Sequence, residues 1–241
     1  MTTWSRNSTE RPILQANAPF PRFERLEPTL RHRILDAALK EFGRFGYGAA
    51  SMNRLVKGAG ISKGAIFNYF GTKAGLFDYI YRSSLEEVKE QLRTVRDSSR
   101  AEPFFGRLEK VLRAGLDFTT RRPLSAAIYY RVLYTGDAPH GNSILSEIQG
   151  TSKRFLKNLI EDGVRKGELR PDIDAERSAF IIQSVLDRFL QAHYLEFMAS
   201  TIEKPAGRER SDPSSSSEKW LREMTDILKS GLENRTGREE Q

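Results

Sequence analysis

Residues Ser51–Lys73 read SMNRLVKGAGISKGAIFNYFGTK, and this stretch decides the fold. Ser51 is a good N-cap, and Met52, Leu55 and Val56 give the helix after it an apolar stripe. Gly58, Ala59 and Gly60 end that helix and let the chain turn tightly, because glycine accepts positive φ at no steric cost. Ser62 is positioned to cap a second helix, in which Ile66 and Phe70 are spaced to pack inward. Thr72 then caps a third. Two short helices around a glycine turn form a helix-turn-helix pattern, whose second helix enters a DNA major groove.

The make-up of that second helix supports a nucleic-acid role. Lys63, Gly64 and Ala65 occupy its first turn, where exposed N–H groups favour an anion. Gly64 and Ala65 add little to a core but let backbone approach DNA closely. Asn68 and Tyr69 follow with hydrogen-bonding tips. The bland alternative is a helical hairpin with a solvated face. The small-residue opening, basic flanks and aromatic end together favour DNA.

Charge points the same way. The 241-residue chain carries a formal net charge of +7, which fits a polyanion partner among many others. Between Arg31 and Lys73, eight basic residues stand against two acidic ones, leaving +6 in that segment. Phosphate contact predicts such a concentration. Cysteine is absent, which excludes a disulfide framework and thiolate chemistry. No apolar run reaches membrane-span length, and the first residues lack a secretory core. A cytoplasmic protein is expected. His32, His140 and His193 sit in separate elements with no metal-ligand spacing, and no phosphate loop or nucleophile elbow occurs. No metal, cofactor or enzymatic activity is therefore expected.

Working outward, residues 1–28 contain four prolines and no sustained periodicity, so they read as an extended or disordered arm. Its arginines, Arg6, Arg11, Arg22 and Arg25, are suited to a minor groove, but a passive tail is the simpler reading. Thr29 is the expected cap of a helix with an apolar face of Leu30, Ile34, Ala38, Phe42 and Phe45, stopped by Gly46 and Gly48. After the helix-turn-helix, a long helix from Thr72 carries Leu76, Phe77, Ile80, Leu85, Val88 and Leu92. Further helices are expected after Pro103, after Pro123, from Ser143 to Gly167 and from Ala175 to about Ser200. That last helix is apolar on two sides, so one side is expected to face a partner chain. Residues 201–217 read as a flexible loop, followed by an amphipathic helix from about Glu218 to Leu232.

From Ile34 to about Tyr79, a fifth of the chain, the sequence resembles the DNA-binding domain of TetR-family transcriptional regulators. The matching elements are ILDAALKEFGRFGYGAASM, AGISKGAIFNYF and TKAGLF. The resemblance implies base-edge contacts from Asn53, Lys63, Gly64, Ala65 and Asn68. It implies phosphate contacts from Ser51, Ser62, Tyr69, Thr72 and Lys73. Phe67 belongs to the same footprint but stands where tyrosine is frequent, so a hydroxyl is missing. Asn68 stands where histidine or tyrosine is common, which should change the bases preferred. Gly75 costs the next helix about 1 kcal/mol relative to alanine; it either loosens the joint or permits close packing.

The resemblance also implies a ligand pocket in the C-terminal body. Its candidate lining is Phe105, Leu108, Leu112, Leu116, Tyr129, Tyr130, Leu133, Phe155, Leu159, Val185, Arg188, Phe189 and His193. The dimer interface is expected from Ile182, Leu186, Leu190, Phe197, Trp220, Leu221, Met224, Ile227 and Leu228. The expected architecture is all-α. It comprises an arm (1–28), a helix-turn-helix domain (29–75), a helical effector-binding and dimerisation domain (76–234) and a tail (235–241). The expected function is a homodimeric regulator, by family habit a repressor, on a pseudo-palindromic double-stranded operator. Release would come from an apolar or amphipathic small molecule. The alternatives are a regulator without an effector and, more remotely, a helical enzyme with an appended head.

Overall fold

The computed structural model describes residues 20–139, 141–202 and 213–233. The arm as far as residue 19 and the tail 235–241 lie outside the described residues. The described chain is all-α. Its head comprises α1 (Pro21–Glu24), α2 (Pro28–Ala49), α3 (Met52–Ala59) and α4 (Lys63–Phe70). α5 (Lys73–Ser98) leads into a body of α6 (Phe104–Arg121), α7 (Pro123–Thr135), α8 (Gly141–Arg165), α9 (Ala175–Ile202) and α10 (Pro213–Leu232).

Local chemistry sets the head's boundaries. Ser51 accepts from the Arg54 amide, Ser62 from the Ala65 amide at 3.1 Å and Thr72 from the Gly75 amide at 2.9 Å. Each satisfies an N–H group that its helix leaves open. The cap of α2 is Glu27 rather than Thr29: its carboxylate accepts from Leu30 N, and Pro28 fills the first helical position. α2 breaks at Gly46, whose φ of 73° suits glycine.

The stretch expected as an arm is corrected at its C-terminal end. Residues 20–26 form the short α1 and its flanks, docked on the head. Phe23 is fully buried, with its ring 4.6 Å from that of Phe70 and 5.2 Å from that of Tyr79. Phe20 packs on Phe70 at 5.1 Å. Glu24 secures the element by accepting from the Tyr79 hydroxyl at 2.6 Å and pairing with Arg31 at 3.3 Å. Phe20, Phe23 and Leu26 recur at helical spacing, a signal masked by the surrounding prolines.

The head's core does not stop at residue 75. Phe23, Ile34, Phe42, Leu55, Ile66, Phe70, Phe77 and Ile80 share one cluster with Ile128 and Val132 of α7. A second core fills the space between α6, α8, α9 and α10, around Leu108, Leu112, Leu159, Ile182 and Leu221. A third joins α6, α7 and α9 through Phe118, Tyr130 and Tyr194. The serine run after Pro213, expected as loop, is the first turn and more of α10. Proline at the first position and serines in the opening turn suit a helix start. The α10 helix is tied to α6 by an ion pair of Arg113 with Glu218.

Phe23→Ala is expected to lower stability by about 3 kcal/mol in urea unfolding, the low end for a buried phenylalanine because so short a helix can lift away. A loss under about 1 kcal/mol would mean that α1 is not docked in solution.

Candidate nucleic-acid interface and regulatory body

α4 presents its polar side outward. Lys63, Gly64 and Asn68 are exposed, Ala65, Phe67 and Tyr69 half-buried, and Ile66 and Phe70 buried in the head. Asn53 is exposed on α3, and Ser62 and Thr72 are exposed at the two helix starts beside it. Ser51 is half-buried. Tyr69 leans on Phe23 with ring centroids 6.3 Å apart, which fixes the outer end of α4 against α1.

Lys73 is held at the start of α5. Its ammonium donates to the Gly48 carbonyl at 3.3 Å and lies over the Tyr47 ring, 4.7 Å from the centroid. The first turn of α5 therefore offers a cation and open N–H groups together, a combination that suits a phosphate. Gly75 is a packing glycine. A Cβ there would lie 2.3 Å from the Phe70 carbonyl oxygen, so only glycine lets α5 pass the end of α4 this closely.

Two residues outside the expected footprint shape the interface: Glu41, which was not singled out from sequence, and Arg22, which was read as an arm cation. Glu41, buried on α2, accepts from the Ser51 amide at 2.6 Å and from Arg54 Nε at 3.1 Å. Burial pushes its carboxyl up, but Arg54, the Ser51 amide and the Lys73 charge outweigh this and leave it below the ordinary value. Arg54 also lies over the Phe45 ring at 4.2 Å. This carboxylate sets where α3 begins relative to α2. Arg22 of α1 donates to Asn68 Oδ1 at 2.7 Å. The arm arginine expected at a minor groove, if anywhere, thus stands beside the recognition helix.

In the body, the two apolar stripes of α9 lie opposite to the expected assignment. Ile182 and Leu186 are buried in the protomer's own core, and Leu190 seats on Gly115 of α6. Leu221 is fully buried, and Met224 and Leu228 pack against the same core. Ile182, Leu186 and Leu221 are thereby closed to a partner, while Leu190, Met224 and Leu228 are half-buried. The outward stripe is Phe180, Ile181 and Val185, with Val185 38% exposed and so not a pocket residue. Arg188 is also exposed and donates to Gln191 at 2.6 Å. On α10, Trp220 and Ile227 remain outward. The Phe197 side chain lies outside the described residues.

The other expected pocket residues divide between two cores. Phe105, Leu108, Leu112, Leu116, Phe155, Leu159 and Phe189 belong to the α6–α8–α9–α10 core. Tyr129, Tyr130 and Leu133 belong to the α6–α7–α9 cluster. Between α5, α6 and α7 a cavity of ≈ 10 Å³, room for about one water, is lined by Tyr81, Ser84, Leu85, Val88, Phe118, Ser125 and Tyr129. Beside it the Tyr129 hydroxyl donates to Asp187 Oδ1 at 3.3 Å. Burial pushes the Asp187 carboxyl up to about 6, against partial relief from Tyr129 and Gln183. His193 is buried too, and burial lowers its pKa despite the Glu196 charge.

A helix-turn-helix head with a polar recognition helix, joined to a helical body, defines a DNA-binding transcriptional regulator. Residues 34–80 match the family described as bacterial regulatory proteins, tetR family. Residues 103–233 match the tetracyclin repressor-like C-terminal domain. The chain belongs to the TetR family. It is 31% identical over 149 residues to the HTH-type transcriptional regulator YhgD of Bacillus subtilis, covering 62% of this chain and 76% of that protein. It is 29% identical over 160 residues to the HTH-type transcriptional repressor AcnR of Corynebacterium glutamicum, covering 66% and 79%. Among solved structures, a TetR-family regulator from Chloroflexus aurantiacus superposes with a TM-score of 0.66 at 26% identity, covering 89% of this chain and 98% of that one.

The raised Asp187 carboxyl has a defined consequence for stability. Ionising it is penalised in the folded chain but not in the unfolded one, so the penalty is absent below pH about 4 and complete above about 6. Asp187→Asn is therefore expected to raise the thermal midpoint at pH 7, by a stability of about 1–2 kcal/mol after allowance for partial solvent access. The advantage should shrink as pH falls from 6 to 4, read by thermal unfolding across that range.

Proposed function

We propose that this regulator is a homodimeric repressor of a pseudo-palindromic operator, released when the body takes up an apolar or amphipathic small molecule. Two heads would occupy successive major grooves roughly 34 Å apart. The observation that carries the dimer is the unmatched apolar surface of α9 and α10. Phe180 is 63% exposed, Trp220 60% and Ile227 72%. Large apolar side chains in such numbers on two adjacent helices favour a buried partner surface over solvent. Repression is supported by the AcnR relative, which is a transcriptional repressor. Ser51, Asn53, Ser62, Lys63, Gly64, Ala65, Phe67, Asn68, Tyr69, Thr72 and Lys73 form the DNA footprint on this reading. An effector would enter beside Tyr129 and Asp187, next to the small cavity between α5, α6 and α7.

The small size of the cavity beside Tyr129, ≈ 10 Å³, favours a second reading, a dimeric regulator whose body only dimerises. The two separate in one experiment. DNA bound by the purified protein is selected from a random pool, and small molecules are then screened for its release. Release by an apolar or amphipathic class supports the first reading. A screen in which DNA stays bound throughout supports the second.

Two substitutions test the interfaces. Phe180→Asp combined with Ile227→Asp is expected to give a monomer in sedimentation, with operator affinity reduced at least tenfold. A dimer of unchanged dissociation constant would remove this face from the interface. Lys73→Ala should weaken binding to every duplex and reduce the salt slope by about one. Unchanged affinity at several salt concentrations would take Lys73 out of the phosphate footprint.

A further inference from the structure

The Arg22–Asn68 hydrogen bond bears on which base the recognition helix reads. Asparagine alone suits adenine, because its amide offers one acceptor and one donor to the adenine N6 and N7 edge. Here the Asn68 acceptor already faces a guanidinium 2.7 Å away. A guanidinium carries donors only, so only the Oδ1 end of the amide can face it. The Asn68 NH₂ is the end of the amide left for a base, beside a guanidinium that carries further N–H groups. The exposed surface of the pair is made of donors.

The position of Arg22 is fixed by the packing of α1. Phe23 is buried against Tyr69, Phe70 and Tyr79, and Glu24 is tied to Tyr79 and Arg31. Arg22 lies between these anchored residues and the exposed side of α4, and both Arg22 and Asn68 are exposed. An arginine held in this way loses less rotamer freedom on binding than one on a loose arm.

We propose that Arg22 and Asn68 act as one reading unit. The unit selects guanine, whose major-groove edge offers two acceptors, O6 and N7, over thymine, which offers the single acceptor O4, and rejects adenine, whose N6 donor would meet donors. This deepens the proposed role of α4 as the base-reading helix and rests on it. Arg22 is thereby a specificity determinant contributed from outside the helix-turn-helix.

The test is binding-site selection from random duplex DNA with the full chain as wild type, Arg22→Ala, Arg22→Lys, Asn68→Ala and the double Ala variant. Arg25→Ala serves as a charge control. Thermal unfolding of each variant should match wild type, since both side chains are exposed. Wild type is expected to enrich guanine at one position of each half-site. Arg22→Ala and Asn68→Ala should relax preference at that same position and leave the others intact. The double variant should go no further. Affinity of Arg22→Ala for the wild-type site should fall roughly 5- to 150-fold. Arg22→Lys should keep the salt dependence but lose the guanine preference, because lysine lacks the fork. Four outcomes overturn the proposal: adenine at the Asn68-dependent position, Arg22→Ala weakening all sequences equally, Arg22→Ala changing nothing, or Arg22→Lys behaving as wild type. A wild-type pool with no enriched motif would instead overturn base reading by α4 itself, and the pair with it.

Discussion

Asp137, just past the end of α7, accepts hydrogen bonds from the amides of Tyr47 and Gly48 at 2.9 and 2.8 Å. The turn that closes α2 is thus completed by a side chain of the body. That turn breaks at Gly46, where a Cβ would lie 2.0 Å from the same carboxylate, so any larger residue would displace the group that holds the turn. Tyr47 and Gly48 in turn carry Lys73, through the ring and the carbonyl. A contiguous set of contacts therefore runs from the end of α7, through the α2 turn, to the first residue of α5. Charge-assisted bonds to backbone amides are among the stronger single contacts a surface turn can have. The head is oriented on the body by this seam as much as by the covalent passage through α5.

The α2–α7 contact reinforces it. Leu124 packs directly on Gly43, where a Cβ would come within 2.9 Å of it. Arg131 donates to the Arg44 carbonyl at 3.1 Å. Ile128 and Val132 complete the head's core. The seam explains why a boundary drawn at residue 75 from sequence has no counterpart in the packing. Sequence order gives α5 as the only link between the two parts, and a contact between residues some 80 positions apart has no local signature.

What sequence could and could not supply follows the same division. The caps at Ser51, Ser62 and Thr72 were legible because each depends on neighbours within four residues, and the break at Gly46 was legible from the glycine alone, without Asp137 that holds it. α1 was hidden because four residues are too few to display a period, and the prolines around it suggest extended chain. The two stripes of α9 were visible, but periodicity alone does not say which faces inward. That choice is made by Gly115, whose missing side chain admits Leu190, and by the α8 surface that receives Ile182. Arg22 was read as an arm cation because its partner, Asn68, is 46 residues away.

The small cavity beside Tyr129 bears on how an effector could act on the head. A drug-sized ligand needs a pocket of roughly 300 Å³ or more, against the ≈ 10 Å³ cavity beside Tyr129. Uptake at that place would require α5, α6 and α7 to part. α7 is pinned on two sides, with Tyr129 and Tyr130 in the body and Ile128, Val132 and Leu124 against the head. Displacement of α7 would strain the Asp137 bonds and the Leu124–Gly43 contact at once. The operator-bound spacing of two heads would then depend on whether α7 is seated. A ligand acts on such a device only by its differential affinity for the seated and displaced states, and operator DNA must oppose it by the same coupling free energy.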